Sequence, residues 1–337
     1  MDLSLIFNLP SPIPQPSMPS EKTEKLLEQL FEKYKLSGQN IDDYLEGLLV
    51  SNYEPYWRYI ALDTLLSLQQ PKTDIPDETI FIGYHQITEL YFKLALHELH
   101  QMKELGHDQP ERWADKLNRI VRYFQNLIHS FDVMIEGMEK EQFLQFRMAL
   151  LPASGFQSAQ FRMIEMASTQ AINLVALERR EALSAKSLPE QYEGIYWRNG
   201  AMDLATGQKT LTLQQFEDAY GQRFLQWMSD WQGQTLNDHC EELARKGALT
   251  DELKQQFRRL DTYLNVNWRL SHYRSAVRYL QSKGGDAAAT GGTNWQKFLP
   301  PRFQKIVSFP SLWTAEEIEN WGKSWVEEQL QFKPKGL

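Results

Sequence analysis

From Glu21 onward, apolar side chains recur mostly at spacings of three and four, the signature of helices with one buried face. In EKTEKLLEQLFEKYKL (21–36), Leu26, Leu27, Leu30, Phe31 and Tyr34 fall on one side, and Gly38 follows as a stop. The longest pattern runs from Asp77 to Leu105 through Ile80, Phe81, Tyr84, Ile87, Leu90, Tyr91, Leu94, Leu99 and Met102, ahead of Gly106. The same spacing predicts helices over Glu111–Met138, Phe156–Ser184 and Leu253–Lys283. Period-two alternation is confined to short pieces, and no segment of 20–50 residues repeats. Residues 185–210, with Gly194, Gly200 and Gly207, are less periodic and read as a surface excursion. The pattern predicts an all-α fold, a helical bundle with long central helices.

Composition narrows this further. Residues 1–20 hold five of the fifteen prolines, without a basic start or an apolar run long enough for a signal or anchor. They read as a flexible Pro-rich arm, with 21–337 a single helical domain. Leu3, Leu5, Ile6 and Phe7 leave open a second reading, an arm that docks on a partner subunit. The formal charge of −8 argues against nucleic acid or an anionic membrane as a partner. Cys240 is the only cysteine, which excludes an internal disulfide and Cys-rich zinc or iron–sulfur sites, and suits a reducing, cytoplasmic setting. Metal chemistry must therefore run through histidines 85, 97, 100, 107, 129, 239 and 272.

Few residues could carry chemistry. His85 sits inside the long helix with Phe81 one turn before and Glu89 one turn after. It is either a buried histidine bonded to a backbone carbonyl or part of a site. His97 and His100 form HELH, one residue short of the zinc-protease spacing, and suit packing or surface roles. His272, in NWRLSHYRSAVRYL, is followed by the small Ser275 and Ala276 one turn on. Such a neighbourhood allows a flat macrocycle to approach a helix, and it equally suits a packed histidine. Arg147 precedes the breaker Pro152 and the Ser154–Gly155 turn. It either complements a helix dipole or forks onto a carboxylate in a cleft. GGDAAATGGTNW (284–295) lacks a phosphate-loop ending and is a linker or an ordering lid, with Thr290 its polar side chain.

Taken in order, YIALDTLLSLQ (59–69), DETIFIGYHQITELYFKLALHEL (77–99), FRMALLPASGFQSAQFRMIE (146–165), WRLSHYRSAVRYL (268–280) and ATGGTNWQKFL (289–299) resemble the tryptophan 2,3-dioxygenases. The similarity spans about residues 22–315; SGFQSxQFR and HQxxEL are its most specific blocks. The resemblance to the indoleamine dioxygenases is much weaker. It implies an all-helical homotetramer whose bundle encloses one haem b per subunit, with L-tryptophan and O2 as substrates. It further implies that His272 is the proximal iron ligand, and that His85 accepts a hydrogen bond from the indole N–H. By the same likeness Arg147 holds the substrate carboxylate, and Thr290 contacts the ammonium and carboxylate end. Phe81, Phe143 and Leu150 would wall the indole, Ser154 and Gly155 would lie at the haem edge, and Tyr56 and Tyr59 would reach in from a neighbouring subunit. Tyr84 before the distal histidine, Tyr91, and Asn294–Trp295 depart from the family's usual residues and bear on substrate preference. The implied reaction adds both atoms of O2 across the indole C2–C3 bond to give N-formylkynurenine. A haem monooxygenase on the same scaffold and a non-catalytic haem or tryptophan sensor are the competing readings.

Overall fold

The computed structural model describes residues 19–202, 206–280 and 300–323. Most of the Pro-rich arm and the 284–295 segment with Thr290 lie outside the described residues. The chain divides into two compact units, one ending at Leu68 and one beginning at Gln69. All regular elements among the described residues are helical apart from isolated antiparallel bridges, Val175 with Ile195 and Met202 with Lys209.

In the first unit, helix α1 (Glu21–Leu36) starts where Ser20 Oγ accepts from the Thr23 amide at 3.2 Å. Glu21 and Glu24 in its first turn and Lys33 and Lys35 in its last complement the helix dipole. Helix α2 (Ile41–Val50) is capped by Asn40, and short turns follow at Tyr56–Tyr59 and Leu62–Leu66. Among the described residues of this unit only Ile41 is buried, while Leu48, Leu49, Val50, Tyr53, Tyr56, Trp57 and Tyr59 are exposed.

The second unit is organised by α3 (Asp77–Lys103), which packs along α4 (Pro110–Ser130). A short helix α5 (Lys140–Phe146) lies against α3, followed by α6 (Ala159–Ser168), α7 (Leu211–Asp230), α8 (Leu236–Arg245), α9 (Asp251–Thr262) and α10 (Trp268–Leu280). Trp268 is the hub. Its ring lies 5.5 Å from Phe92 on α3, 6.4 Å from Phe124 on α4, 6.2 Å from Phe161 on α6 and 5.4 Å from Phe131. A buried indole contributes roughly 3 kcal/mol from area alone, so this contact holds α10 against the central pair.

The structure departs from the periodicity in four places. The run expected over Glu111–Met138 ends at Ser130, and a separate short turn follows at Asp132–Ile135. The single run expected over Phe156–Ser184 is broken after Ser168. There Asn173 Nδ2 bonds Thr169 Oγ1 at 2.8 Å, and the Arg180 guanidinium takes the Asn173 and Val175 carbonyls at 2.8 and 2.9 Å. These side chains satisfy backbone and polar groups that a continuous helix would use otherwise. The run expected over Leu253–Lys283 is interrupted by a π turn, Tyr263–Asn267, between α9 and α10. Only part of the 185–210 stretch is a surface excursion: 185–187, 189–190 and 206–209 are exposed, whereas Tyr192, Ile195, Tyr196, Trp197 and Ala201 are core residues, with Trp197 stacked on Phe156 and edge-on to Phe216 and Phe224.

A histidine pair joins the α3–α4 connection to α8. His107 Nε2 lies 2.9 Å from His239 Nδ1, with Trp113 beside both rings. Burial lowers both pKa values, helped at His107 by Lys246 and Arg245 and at His239 by His107; His239 falls to about 4. The unfolded chain therefore takes up protons first. The stability that His239 contributes is complete above about pH 6.5 and is lost as pH falls toward about 4, and His107 acts in the same direction. The thermal midpoint should drop between pH 6.5 and 5, and more shallowly in His239→Phe, as scanning calorimetry would measure.

Candidate functional site

The N-terminus of α3 is tied down on two sides. The buried Glu78 carboxylate accepts from the amides of Lys72 and Thr73 at 2.8 Å and from Thr73 Oγ1 at 2.6 Å. Against the desolvation that raises its pKa, these bonds and the Lys72 charge hold it below the usual value. Asp77 Oδ2 accepts from the Glu139 amide at 2.6 Å, and the Asp77 amide donates to Gln142 Oε1 at 3.2 Å. These contacts lock α3 to α5, so Phe81 meets Phe143 and Phe146 at 6.3 and 5.7 Å.

One turn further along α3, the His85 ring lies 4.1 Å from Phe81, and its Nδ1 is 2.7 Å from the Phe81 carbonyl. A carbonyl can only accept, so Nδ1 carries the proton and Nε2 presents a lone pair. Burial lowers the His85 pKa, opposed by the Phe81 carbonyl and by Glu89, and the imidazole is neutral at physiological pH. The residue nevertheless keeps solvent-exposed surface. The carbonyl bond of the first sequence reading is thus present, and it engages Nδ1 and not Nε2.

Arg147 follows Phe146 directly, in the 3₁₀ turn Arg147–Leu150 that ends α5. It is buried, and desolvation lowers its pKa; Leu150 is half-buried in the same turn. Lys72 Nζ donates to the Ala149 carbonyl at 3.4 Å, so the segment before α3 also holds this turn.

His272 comes from α10. Its ring stands edge-on to Trp268 at 4.7 Å and to Phe131 at 4.8 Å, and its ring N–H donates to the Trp268 carbonyl. Burial, then the proximity of His85, lowers its pKa to about 4. The Ser154–Gly155 turn is closed by a capping box in which Gln157 Oε1 accepts from the Ser154 amide at 2.8 Å. A β-carbon at Gly155 would sit 4.0 Å from His272 Cδ2, which places this turn over the imidazole. Gln160 Nε2 donates to both the backbone carbonyl and Oε2 of Glu89 at 2.8 Å, joining α6 to α3 one turn beyond His85.

This donor set fits a haem. A neutral imidazole whose other ring N–H is bonded to a carbonyl is the state of an axial histidine ligand. Half-buried Ser275 and Ala276 follow it on α10, and the glycine of the 154–155 turn lies beside it. The remaining histidines serve otherwise. His100 bonds the Leu96 carbonyl and packs on Trp227, His97 and His129 are exposed, and His107 pairs with His239. Among the described residues no three histidine, cysteine or carboxylate groups assemble around a metal position.

The structure thus brings Phe81, His85 and Phe143 into contact, places Arg147 and Leu150 in the turn that continues from them, and sets Ser154 and Gly155 beside His272. Tyr56 and Tyr59 belong to the unit ending at Leu68 and are 71% and 79% exposed. Thr290 lies outside the described residues. Sequence reading passed over Asp77, Glu78 and Gln160, which anchor the site. Their one visible signal was polar side chains on helices with buried faces.

A family model described as tryptophan 2,3-dioxygenase matches residues 48–174, a span that contains His85, Arg147 and the Ser154–Gly155 turn. A tryptophan 2,3-dioxygenase from a Ruegeria species is 31% identical over 276 residues, covering 77% of this chain and 90% of that protein. The protein of the same name from Bradyrhizobium diazoefficiens is 31% identical over 276 residues, covering 78% and 92%. One from an Anaeromyxobacter species reaches 44% over a shorter stretch of 111 residues, covering 33% and 42%.

Proposed function

The chain belongs to the tryptophan 2,3-dioxygenase family and is an oxidoreductase of the dioxygenase class, and on that premise we propose that it opens the indole ring of L-tryptophan to give N-formylkynurenine. The C2–C3 double bond is cleaved and two carbonyl groups form. Both atoms of one O2 are retained, so oxidation of the indole balances reduction of oxygen and no external reductant is consumed. The observation that carries the proposal is the pair of neutral imidazoles, His85 on α3 and His272 on α10, each with one ring nitrogen committed to a backbone carbonyl.

Ferrous haem b, when bound, supplies the iron at which dioxygen is activated. His272 would hold the iron, and Ser154 and Gly155 would border the macrocycle. His85 Nε2 accepts the indole N–H and orients the ring; its lowered pKa makes it an acceptor and a poor base. Phe81, Phe143 and Leu150 enclose the indole and exclude water. Arg147 holds the carboxylate in a bidentate fork, with Thr290 at the ammonium end. The exposed apolar side chains of the first unit, with Ile80, Ile87, Leu90 and Leu94 on one side of α3, suit assembly into a homotetramer in which Tyr56 and Tyr59 complete a neighbour's pocket. No helix among the described residues is long and apolar enough to cross a membrane, and buried, unpaired Cys240 suits the cytoplasm.

Under this reading His85→Ala loses one neutral hydrogen bond. Its kcat/KM for tryptophan should fall roughly tenfold without disappearing, given about 0.5–1.5 kcal/mol for such a bond. Steady-state kinetics on the haem-loaded variant measures this. The reaction itself is tested by supplying the reduced, haem-loaded protein with L-tryptophan under ¹⁸O₂ and weighing the product. Two labelled atoms are expected. One labelled atom would point to a monooxygenase, and the absence of product to a sensor.

A further inference from the structure

The segment leading into α10 contains a buried polar ladder that the reaction does not use. Asp261, at the end of α9, is fully buried and accepts from the Ser308 amide at 2.9 Å, the Phe309 amide at 3.2 Å and Trp313 Nε1 at 2.9 Å. Four residues on, Asn265 Nδ2 donates to Asp261 Oδ1 at 2.8 Å and to Ser308 Oγ at 2.7 Å. Four residues further, Arg269 donates to Asn265 Oδ1 at 3.0 Å and to Glu165 Oε1 on α6 at 2.8 Å. The 1% exposed Glu165 carboxylate also accepts from Arg162 at 2.7 Å and from the Tyr196 hydroxyl at 2.7 Å.

The spacing of 261, 265 and 269 puts all three on one helix face, and that face crosses the π turn Tyr263–Asn267. A π turn inserts one residue and so rotates everything after it by about 100° about the helix axis. Backbone bonding alone does not prefer it, and an ordinary α-helical turn would swing His272 to another face. The Asn265 side chain, from inside the turn, bonds Asp261 before it and Arg269 after it, and the Ser308 contact ties it to a separate segment. Arg269 then anchors the first turn of α10 to α6, the helix that begins just after the Ser154–Gly155 turn beside His272. Two guanidinium groups and two carboxylates make the ladder formally neutral. Its members are thus buried for geometry and not to project a net charge.

We infer that Asn265 and Arg269 are positioning residues that hold the π turn and thereby set the rotational register at which His272 meets the haem iron. The inference rests on the reading of His272 as the iron ligand. In Asn265→Leu, Asp261 keeps three donors and Arg269 keeps Glu165, so the fold survives at a lower thermal midpoint. The iron–histidine stretching band of the ferrous protein should shift or broaden, and haem should transfer to apomyoglobin at least tenfold faster. Lys116→Met is the control for lost stability alone. It opens an equally buried ion pair, Lys116 Nζ to Glu98 at 2.7 Å, in a cluster the mechanism leaves out, and should lower the midpoint without moving the band or the transfer rate.

If Asn265→Leu does not fold, Tyr196→Phe removes a single hydroxyl from Glu165 and Arg162 and should shift the band in the same direction to a smaller extent. An unchanged band and transfer rate in a folded Asn265→Leu, or equal effects from Lys116→Met, would overturn the inference. His272→Gly separates the two layers. If it loses the band and regains a five-coordinate ferrous spectrum with added imidazole, the ligand reading stands and the variants judge the ladder. If it keeps the native band, the ligand reading has failed and the positioning role fails with it.

Discussion

His272→Ala should purify without stably bound haem and without measurable turnover, the largest effect expected of any single substitution in this chain. The imidazole sits between Trp268 and Phe131, its ring N–H bonded to the Trp268 carbonyl and its pKa lowered to about 4. It is therefore held neutral and oriented before any ligand arrives. Alanine removes the imidazole that would hold the iron and leaves the surrounding aromatic contacts without the ring they pack on. His85→Ala provides the comparison, because in the proposed reading its imidazole meets substrate and not iron, so its loss should leave the haem spectrum intact. Haem content by the pyridine haemochrome assay, with turnover on the same samples, checks both.

Arg147→Leu should act on substrate recognition and leave haem in place. The guanidinium is buried at the end of α5, beside the helix whose Phe143 and Phe146 pack on Phe81. A buried carboxylate deprived of its cationic partner costs about 3–5 kcal/mol, which corresponds to a fall of roughly 10²–10⁴ in kcat/KM, carried mainly by KM. Leucine fills similar space without a charge, so stability should change little. Binding of tryptamine, which has no carboxylate, should be unaffected by the change, whereas binding of L-tryptophan should weaken sharply. Equal losses for the two ligands would indicate collapse of the pocket.

The parts of this architecture legible in the sequence are those with local causes. Helix α1 runs over the expected Glu21–Leu36, because its cap, apolar stripe and terminating glycine are all local. The length of α3 was likewise visible in a pattern sustained over seven turns. The interruption at Tyr263–Asn267 was not, because a π turn leaves the apolar spacing nearly unbroken while tertiary bonds through Asn265 select it. The core role of Tyr192–Ala201 was missed for a different reason. Its helices are too short to show a period, and aromatic packing on Phe216 and Phe224 carries the burial.

The candidate site shows the same division. His85, Arg147 and His272 stood out as chemistry-bearing residues, but periodicity alone could not weigh a site role against a packing role for any of them. Contacts distant in sequence define their surroundings: Phe81 packs on Phe143 and Phe146 of the helix that Arg147 follows, and Gly155 abuts the His272 ring. Asp77 and Glu78, to which the sequence analysis gives no role, fasten the start of α3 through bonds to Glu139, Lys72 and Thr73. Lys72 and Thr73 lie in the loop before the helix and Glu139 lies beyond α4, so no helical spacing rule reveals them.

The central claim is that this chain binds haem through His272 and uses it to open the indole of tryptophan. Its most direct test is the absorption spectrum of the reduced, haem-loaded protein, recorded before and after L-tryptophan is added in air. The account predicts a five-coordinate ferrous, histidine-ligated spectrum, followed by growth of the near-ultraviolet band of N-formylkynurenine in proportion to the tryptophan consumed. A histidine-ligated spectrum that tryptophan leaves without product, or a haem spectrum that persists in His272→Ala, would contradict it.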